Sequence, residues 1–347
     1  MLLDGLHIPL TTPFYPDGRV YLRKLEHNVD RYSRTPAAGL SILTRVGEAS
    51  LVSDEETSQI LRTAIEASAR EKVMLADVSR DGVSNTLDLA EVAAALSYDA
   101  LLLRIPDLLA GNTADIKSRL TYFQAIADRS PLPLLVEDHP SLSLEIIAEL
   151  SANPAFLGST SSVGGVARLQ QVKAAAAQVT REVVVTNVFA AVTRRMAVPA
   201  AAAAGNYIAA GSLASGRAAL ATAAPLPAIK TRIKKVGFQI LGGDTSLLLG
   251  SLEAGAAGAL LPFAVCAPQA VYEVLAAWKD GDPKLAAEKQ GRLLAATVEI
   301  EARLGVAGLK LACDLNGYFG GKPRLPLLPL SGADRSAVEA LMAGMRN

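Results

Sequence analysis

Residues 73–105 read VMLADVSRDGVSNTLDLAEVAAALSYDALLLRI, and this stretch contains one complete unit of the fold. Val73–Val78 and Ala100–Ile105 are short apolar runs with the length of buried strands. Between them, Asn85–Leu96 carries apolar residues at helical spacing, as expected for a helix with one buried face. Buried strands that alternate with helices are typical of a parallel sheet, so the stretch predicts a strand–helix–strand unit.

The same alternation continues on both sides of this unit. Eight strands are predicted, at Leu6–Thr11, Gly39–Leu43, Val73–Val78, Ala100–Ile105, Leu132–Val136, Ala155–Gly158, Gly237–Leu241 and Gly258–Leu261. Amphipathic helices are predicted between the first seven, at Leu22–Arg34, Thr57–Ala69, Asn85–Leu96, Thr113–Ala127, Leu144–Leu150 and Val166–Val179. Ser53 and Glu56 have the spacing of a capping box before the second helix. The predicted fold class is α/β, a (β/α)₈ TIM barrel.

Two parts of the chain lie outside the repeat. We predict a barrel at residues 1–266, an insertion at 182–235 between the sixth helix and the seventh strand, and a C-terminal helical extension at 267–347 packed on the barrel. The insertion begins with EVVVTNVF, continues through an Ala-rich run and ends in the basic Lys230–Lys235 cluster. Such low-complexity composition is more typical of a flexible excursion or a docking flap than of a functional site.

The composition favours a small-molecule partner. Lys+Arg and Asp+Glu both number 34, so the formal net charge is zero and no long-range field attracts nucleic acid or an acidic membrane. The Ala-rich stretches are interrupted before they reach the ~20 apolar residues of a membrane span. Cys266 and Cys313 have no metal-type spacing, and the N-terminus lacks the basic region of a secretion signal. We therefore expect a cytoplasmic protein, and we predict no cofactor and no metal.

Five segments carry a more specific signal. They are IPLTTPF at 8–14, GLSILTRVGEASLVSDEE at 39–56, DALLLRIP at 99–106, the glycines around 242–244 and 255–258, and RLPLLPL at 324–330. Together they resemble, in the same order, segments of the dihydrodipicolinate synthase and N-acetylneuraminate lyase family. The second segment resembles that family's Gly-Thr-Thr-Gly-Glu loop and the acidic helix start after it. The resemblance covers most of the chain apart from the insertion, and it implies the same barrel.

The resemblance implies a class I aldolase-type lyase, in which a lysine at the end of the sixth strand forms a Schiff base with a keto group. Aligning FLGSTSSVG at 156–164 with the family's motif places Thr160 at the lysine position, and a hydroxyl cannot form an imine. Glu137 falls at the family's proton-relaying tyrosine, and Arg45 and its neighbour fall at the two threonines that bind substrate carboxylate. The tyrosine lent by a neighbouring subunit falls at Pro106–Leu108. We therefore predict a lyase-like scaffold that is inactive in Schiff-base aldol chemistry.

Polar residues follow several strands at the C-terminal end of the predicted barrel, where such barrels place their catalytic groups. They are Arg45, Glu48, Asp77, Arg104, Glu137, Asp138, His139, Thr160 and Asp244. One interpretation is that Arg45 and Arg104 pair with Glu48 or Glu137 and fill space vacated by a substrate. A lysine that reaches this end from elsewhere, such as the Lys230–Lys235 cluster, remains an alternative source of an amine.

A second interpretation is a divergent lyase or hydrolase that acts on a small carboxylate, an oxo acid or a hydroxy acid. The candidate substrate-binding residues are Thr12, Arg45, Glu48, Arg104 and Asp244, and the candidate catalytic residues are Glu137, His139 and Thr160. An arginine would anchor the anion in bidentate fashion, and Glu137 or His139 would act as general base.

Two further interpretations stay open. Asp77, Glu137, Asp138 and His139 could bind a divalent ion that stabilises an enolate, although neighbouring residues on a strand point to opposite faces. Alternatively, the barrel is a non-catalytic assembly or binding protein that uses the insertion and the extra helices as its interface. The resemblance also implies a homo-oligomer, because family members commonly form tetramers.

Overall fold

The computed structural model of the chain describes residues 1–111, 114–197 and 229–345. Its strands, numbered in chain order, are β1 (Gly5–Pro9), β2 (Gly39–Ile42), β3 (Val73–Asp77), β4 (Ala100–Leu103), β5 (Leu134–Glu137), β6 (Phe156–Ser161), β7 (Arg181–Thr186), β8 (Thr231–Val236), β9 (Gln239–Gly242) and β10 (Gly258–Leu260). All except β7 and β8 form one closed parallel barrel in the order β1-β10-β9-β6-β5-β4-β3-β2. The predicted (β/α)₈ barrel and its eight strands are confirmed.

Helices cover the outside of the barrel. They are α1 (Leu22–Ser33), α2 (Asp54–Ala67), α3 (Val83–Ala95), α4 (Asp107–Ala110), α5 (Ile116–Ala127), α6 (Leu144–Ala152), α7 (Gly165–Ala175), α8 (Arg194–Ala197), α9 (Leu248–Glu253), α10 (Pro268–Lys279), α11 (Pro283–Ala296), α12 (Gly305–Leu315) and α13 (Gly332–Met342). Thr297–Arg303, between α11 and α12, is π-helical. The predicted capping box is confirmed, since the side chains of Ser53 and Glu56 each accept the other's backbone N–H.

The fifth and sixth barrel strands extend further than the sequence predicts. β5 includes Glu137, and β6 continues to Ser161. Glu137 pairs with Thr160, which pairs on its other side with Leu241 of β9. The backbone pairing between neighbouring strands therefore continues as far as the polar residues Glu137 and Thr160. Glu137 and Thr160 are therefore held by strands and not by loops.

Apolar side chains fill the barrel interior. Leu75, Leu102, Leu135 and Leu241, from four different strands, belong to one cluster and are at most 1% exposed. A second and larger cluster fills the space between the strands and the helices. Since leucines occupy the middle of the barrel, it is a packed core and not a pore. A site for chemistry is therefore expected at the C-terminal end of the barrel strands, which we call the mouth.

The predicted insertion begins and ends in an antiparallel ribbon made of β7 and β8. This ribbon lies at the N-terminal end of the barrel strands, opposite the mouth. Val183 and Val185 pack against Leu2, which precedes β1. Arg181 donates to the carbonyl oxygens of Ser151 and Asn153, which precede β6, at 2.6 and 2.9 Å. The Ala-rich run at 199–227 lies outside the described residues.

The C-terminal part of the chain forms the helices predicted for it. α10 follows the eighth barrel strand and packs beside β1, in the place of the eighth helix of the ring. The division at residues 266 and 267 stays a prediction about domains, and it falls immediately before this helix. None of the helices in the described ranges has both the length and the apolar character needed to cross a membrane.

Candidate active site at the barrel mouth

Four charged side chains meet at the mouth. Arg104 Nε lies 3.1 Å from Asp77 Oδ2 and 4.0 Å from Glu137 Oε2. Arg45 Nε donates to Glu137 Oε1 at 3.0 Å. These two arginines and two carboxylates form one chain of contacts, Asp77–Arg104–Glu137–Arg45, which we call the mouth cluster. When all four groups are ionised, their charges cancel.

The alternation of side chains along a strand brings this cluster together. Three members each stand two residues beyond a leucine of the barrel interior, namely Leu75, Leu102 and Leu135. Residues two apart on a strand point to the same face, so these three side chains also point inward. Their strands, β3, β4 and β5, are neighbours in the barrel. Arg45 comes from the loop after β2, the next strand in the order.

Exposure differs sharply within the mouth cluster. The Asp77 side chain is 1% exposed, Arg104 18% and Glu137 19%. Arg45 is 58% exposed. A charge removed from water is costly unless it is paired, so the three inner members depend on one another. Arg45 is the member that a ligand from solvent reaches first.

The pKa values reflect this burial. Burial raises the pKa of Glu137, and the nearby carboxylate of Asp77 raises it further, against the opposing effects of Arg45 and Arg104. For Arg104, burial lowers the pKa, but Asp77 and Glu137 outweigh it, so the net shift is upward. A carboxyl group whose pKa moves toward neutrality suits general acid–base chemistry better than an ordinary one. Among the catalytic candidates, this favours Glu137.

Thr160 stands beside Glu137 on the next strand. The two residues are register partners in parallel strands, so their side chains lie on the same face of the sheet. Thr160 is buried at 4% exposure and brings a hydroxyl group to the position where the family resemblance implies an amine. The chemistry available at the end of β6 is therefore that of an alcohol.

Three lysine positions that bear on an alternative amine are engaged or located away from the mouth cluster. Lys173, on α7, donates to the carbonyl oxygen of Ala254 at 3.1 Å. The described residues of the Lys230–Lys235 cluster lie in and beside the ribbon, at the opposite end of the barrel. Lys310, on α12, is fully buried and ion-paired with Glu48.

The Lys310–Glu48 pair fixes the loop that carries Arg45. Leu43 and Glu48, on either side of this loop, adopt left-handed φ angles of 63° and 56°. For residues other than glycine, that conformation costs roughly 1–3 kcal/mol each and persists only where the surroundings impose it. Glu48 is held by the ammonium group of Lys310 and by a hydrogen bond that its Oε1 accepts from the backbone N–H of Arg324 at 2.7 Å. Burial lowers the pKa of Lys310, while Glu48 opposes that shift.

Thr12 and Glu48, both predicted to bind substrate, are thus not brought into the mouth cluster. Thr12 Oγ1 donates to the carbonyl oxygen of Gly47 at 2.6 Å and holds the same loop. Glu48 contacts Lys310 and Arg324. Among the described ion pairs, none joins Glu48 to Arg45 or Arg104. Both side chains are buried.

Asp138 and His139 form their hydrogen bonds with residues outside the mouth cluster. The carboxylate of Asp138 accepts two hydrogen bonds from Arg168, both at 2.9 Å. His139 Nδ1 lies 2.5 Å from Ser141 Oγ. Burial lowers the pKa of His139 and Arg45 lowers it further, so its imidazole is neutral near pH 7. Across the described ranges, no three His, Cys, Asp or Glu side chains are grouped as metal ligands, so the interpretation as a metal site finds no assembled ligand set.

Asp244 belongs to a separate polar group at the ends of β9 and β10. Its Oδ1 accepts from the backbone N–H and the hydroxyl of Ser246, at 2.8 and 2.6 Å, and so caps a short 3₁₀ turn. Facing it is Glu301, whose Oε2 accepts from the Phe263 N–H at 3.1 Å. Burial raises the pKa of Glu301 to about 7, and the nearby Asp244 adds to this shift.

Sequence reasoning missed both Glu301 and Lys310. Glu301 lies in the π-helical segment, and a π turn changes the direction of a side chain relative to an α-helix. No spacing rule in the sequence marks that change. Lys310 had a signal, because it is a single cation inside the apolar run GLKLAC at 308–313.

A cleft beside Arg104 provides room for a ligand. Its volume is about 260 Å³, and Ser79, Arg80 and Asp107 are among its lining residues. Ser79 also supports the mouth cluster, since its hydroxyl accepts the N–H of Arg104 at 2.8 Å and lies 2.5 Å from Asp77 Oδ1. The volume is below that of most sites for drug-sized ligands and suits a small organic acid.

The chain is similar to known proteins in both sequence and fold. The model of the dihydrodipicolinate synthetase family matches residues 2–191 and 219–344. The chain is 25% identical to a 4-hydroxy-tetrahydrodipicolinate synthase of Acidiphilium cryptum, over 99% of each protein. It is 24% identical to an L-threo-3-deoxy-hexylosonate aldolase of Hypocrea jecorina, over 96% of this chain and 93% of that protein. A crystal structure of a dihydrodipicolinate synthase from Bacillus anthracis superposes with a TM-score of 0.77 at 18% identity and covers 100% of both chains.

Proposed function

The chain belongs to the dihydrodipicolinate synthetase family, and from that premise we propose that it binds a small carboxylate at the mouth without forming a Schiff base. The observation that carries this proposal is the end of β6, where Thr160 stands beside Glu137. A threonine hydroxyl has no route to an imine, because imine formation requires a primary amine. The carbon–carbon chemistry of a lysine-dependent aldolase therefore lacks its nucleophile on that strand.

Arg45 supports the carboxylate-binding part of the proposal. Its hydrogen bond to Glu137 uses the Nε atom, and more than half of the side chain is exposed. A guanidinium group presents pairs of N–H donors that match the two oxygens of a carboxylate. The cleft that Arg104 lines has room for a ligand with a few carbon atoms. A small 2-oxo or 2-hydroxy acid fits both features.

Thermal stabilisation by ligands tests this function. Pyruvate, oxamate, lactate and malonate are titrated to millimolar concentration, because a ligand that binds only the folded state raises the melting temperature. At least one of them is expected to stabilise the protein. The stabilisation should be lost in Arg45→Gln and retained in Arg34→Gln, a matched control in an exposed ion pair with Asp30 on α1. No shift with any carboxylate, or an equal shift in both variants, contradicts the proposal.

A second candidate function is acid–base catalysis on the bound acid, as in a lyase or hydrolase. The upward shift in the pKa of Glu137 favours this group as the acid or base. His139 is a weaker candidate, because its Nδ1 is engaged with Ser141. Proton exchange at the carbon next to the ligand's carbonyl group, followed by NMR in D₂O, tests this function. Exchange should disappear in Glu137→Gln, and exchange no faster than in buffer alone argues against it.

Assembly and location are part of the same proposal. We propose a cytoplasmic homo-oligomer, and the supporting argument is the family resemblance. Size-exclusion chromatography with light scattering measures the oligomeric state. A monomer at micromolar concentration contradicts this part and leaves the proposed chemistry unaffected.

A further inference from the structure

A carboxylate that binds Arg45 changes the pairing inside the mouth cluster. Arg45 is the exposed member, and its partner in the free protein is Glu137. An incoming carboxylate that binds Arg45 through Nε and one terminal NH₂ group takes the donor that Glu137 uses, and so competes with Glu137 for the guanidinium group. When Arg45 turns to the ligand, Arg104 is left as the cation that faces both Asp77 and Glu137.

Distances decide which carboxylate keeps Arg104. Arg104 Nε is 3.1 Å from Asp77 and 4.0 Å from Glu137. Asp77 Oδ1 also accepts the N–H of Ser79 at 3.0 Å and lies 2.5 Å from the Ser79 hydroxyl. The Asp77 carboxylate therefore accepts from three donors, namely Arg104 Nε and the N–H and hydroxyl of Ser79. Glu137 is the carboxylate that loses its close cation.

Among the described residues, Glu137 has no ion-pair partner besides Arg45 and Arg104. The charged groups that face it are Asp77 from β3, Arg104 after β4 and Arg45 from the loop after β2. On its other side, β6 places the uncharged Thr160 next to it. A largely buried carboxylate that has lost its 3.0 Å contact with Arg45, and shares Arg104 at 4.0 Å with a second carboxylate, is stabilised in its protonated form.

We propose, on the basis of the proposed function, that the mouth binds a small carboxylate together with one proton from solvent, and that Glu137 holds this proton. The negative charge of the ligand and the positive charge of the proton cancel, so the buried site stays neutral. Burial already raises the pKa of Glu137 in the free protein, which acts in the same direction. A protonated carboxyl group donates a hydrogen bond, so it recognises an oxygen next to the carboxylate. The ligand class is thus a 2-oxo or 2-hydroxy acid rather than a simple fatty acid.

Isothermal titration calorimetry with oxamate measures the proton directly. Titrations at one pH in two amine buffers with different ionisation enthalpies give the number of protons taken up per ligand bound. About one proton is expected for the unaltered protein at a pH where free Glu137 is ionised. Between pH 7 and pH 9, the affinity should then fall by up to about tenfold per pH unit. Propionate, which has no oxygen on the carbon next to its carboxylate, should bind at least tenfold more weakly than oxamate.

Two variants test whether Glu137 is the group that takes up the proton. Glu137→Gln should still bind oxamate, but with no proton uptake and an affinity that does not depend on pH in this range. Glu149→Gln, which changes an exposed carboxylate on α6, should behave like the unaltered protein. Oxamate binding without proton uptake, or uptake that persists in Glu137→Gln, overturns this inference and leaves the proposed function standing. An absence of oxamate binding overturns both. If Glu137→Gln fails to fold, the pH dependence of the unaltered protein decides, since a flat profile is incompatible with proton uptake.

Discussion

Glu301→Gln should change the dependence of stability on pH. The Glu301 side chain is largely buried between the π-helical segment and the ends of β9 and β10, where it accepts the N–H of Phe263. Burial and the nearby Asp244 raise its pKa from an ordinary 4.5 to about 7. In the unfolded chain the same carboxyl group titrates near its ordinary value. Folding therefore favours the protonated form, and glutamine is a neutral replacement of the same shape.

The sign of this pH dependence follows from whether the folded or the unfolded state loses the Glu301 proton first. Below pH 4.5 both states are protonated and Glu301 adds no pH dependence. As the pH rises toward 7, the unfolded chain ionises first, so the stability of the folded protein falls. A shift of this size corresponds to roughly 3 kcal/mol in total. For a chain of this length, that loss lowers the melting temperature by roughly 4 °C.

Thermal melts at pH 5, 6, 7 and 8 test this reasoning. The melting temperature of Glu301→Gln, relative to the unaltered protein, should rise by roughly 4 °C between pH 5 and pH 8. Glu299→Gln is a matched control in the same π-helical segment. Hydrogen bonds from Arg303 lower the pKa of the exposed Glu299, so its removal should have the opposite sign and a smaller effect. A difference for Glu301→Gln that is constant or falls with pH would refute the reasoning.

Three further substitutions test the packing that supports the mouth. Lys310→Met should destabilise the protein by about 3–5 kcal/mol in urea unfolding, because Glu48 would be left buried without its cation. The double variant Lys310→Met/Glu48→Gln should recover part of this loss, and no recovery would contradict the pairing. Gly158→Ala should cost roughly 4 kcal/mol or more, because a Cβ at this position would lie 1.8 Å from the carbonyl oxygen of Gln239. A normal melting temperature would contradict this close approach of β6 to β9. Arg181→Ala should cost about 1–3 kcal/mol, because carbonyl oxygens that precede β6 lose their donor; unchanged stability would argue against the ribbon's docking at the N-terminal end of the barrel.

The fold could be predicted from the sequence because the buried strands have a regular period. Runs such as VMLAD at 73–77 and ALLL at 100–103 are apolar on both faces, which distinguishes barrel strands from the amphipathic helices between them. Strand ends were harder to predict, since the hydrogen-bonded ladder of β5 and β6 continues into polar residues. The central run of the insertion, at 199–227, lies outside the described residues and stays a prediction.

The candidate site was predictable in part. Arg45, Arg104 and Glu137 were identifiable as candidates because each lies at or just beyond a strand's C-terminal end, and parallel neighbours bring those ends together. Their pairing is not encoded in local spacing. It depends on side-chain geometry at the mouth, as does the partnership of Glu48 with Lys310, which lies far along the chain on α12.

The central claim is that this barrel does not form a Schiff base, and borohydride trapping tests it most directly. The protein is incubated with pyruvate, reduced with sodium borohydride, and analysed by intact mass spectrometry and peptide mapping. A lysine-bearing member of the family, treated in parallel, should gain the mass of one reduced pyruvate adduct. This chain should remain unmodified, because β6 carries Thr160 near its C-terminal end and Lys310 is buried against Glu48. A stoichiometric adduct that maps to any lysine would contradict the account.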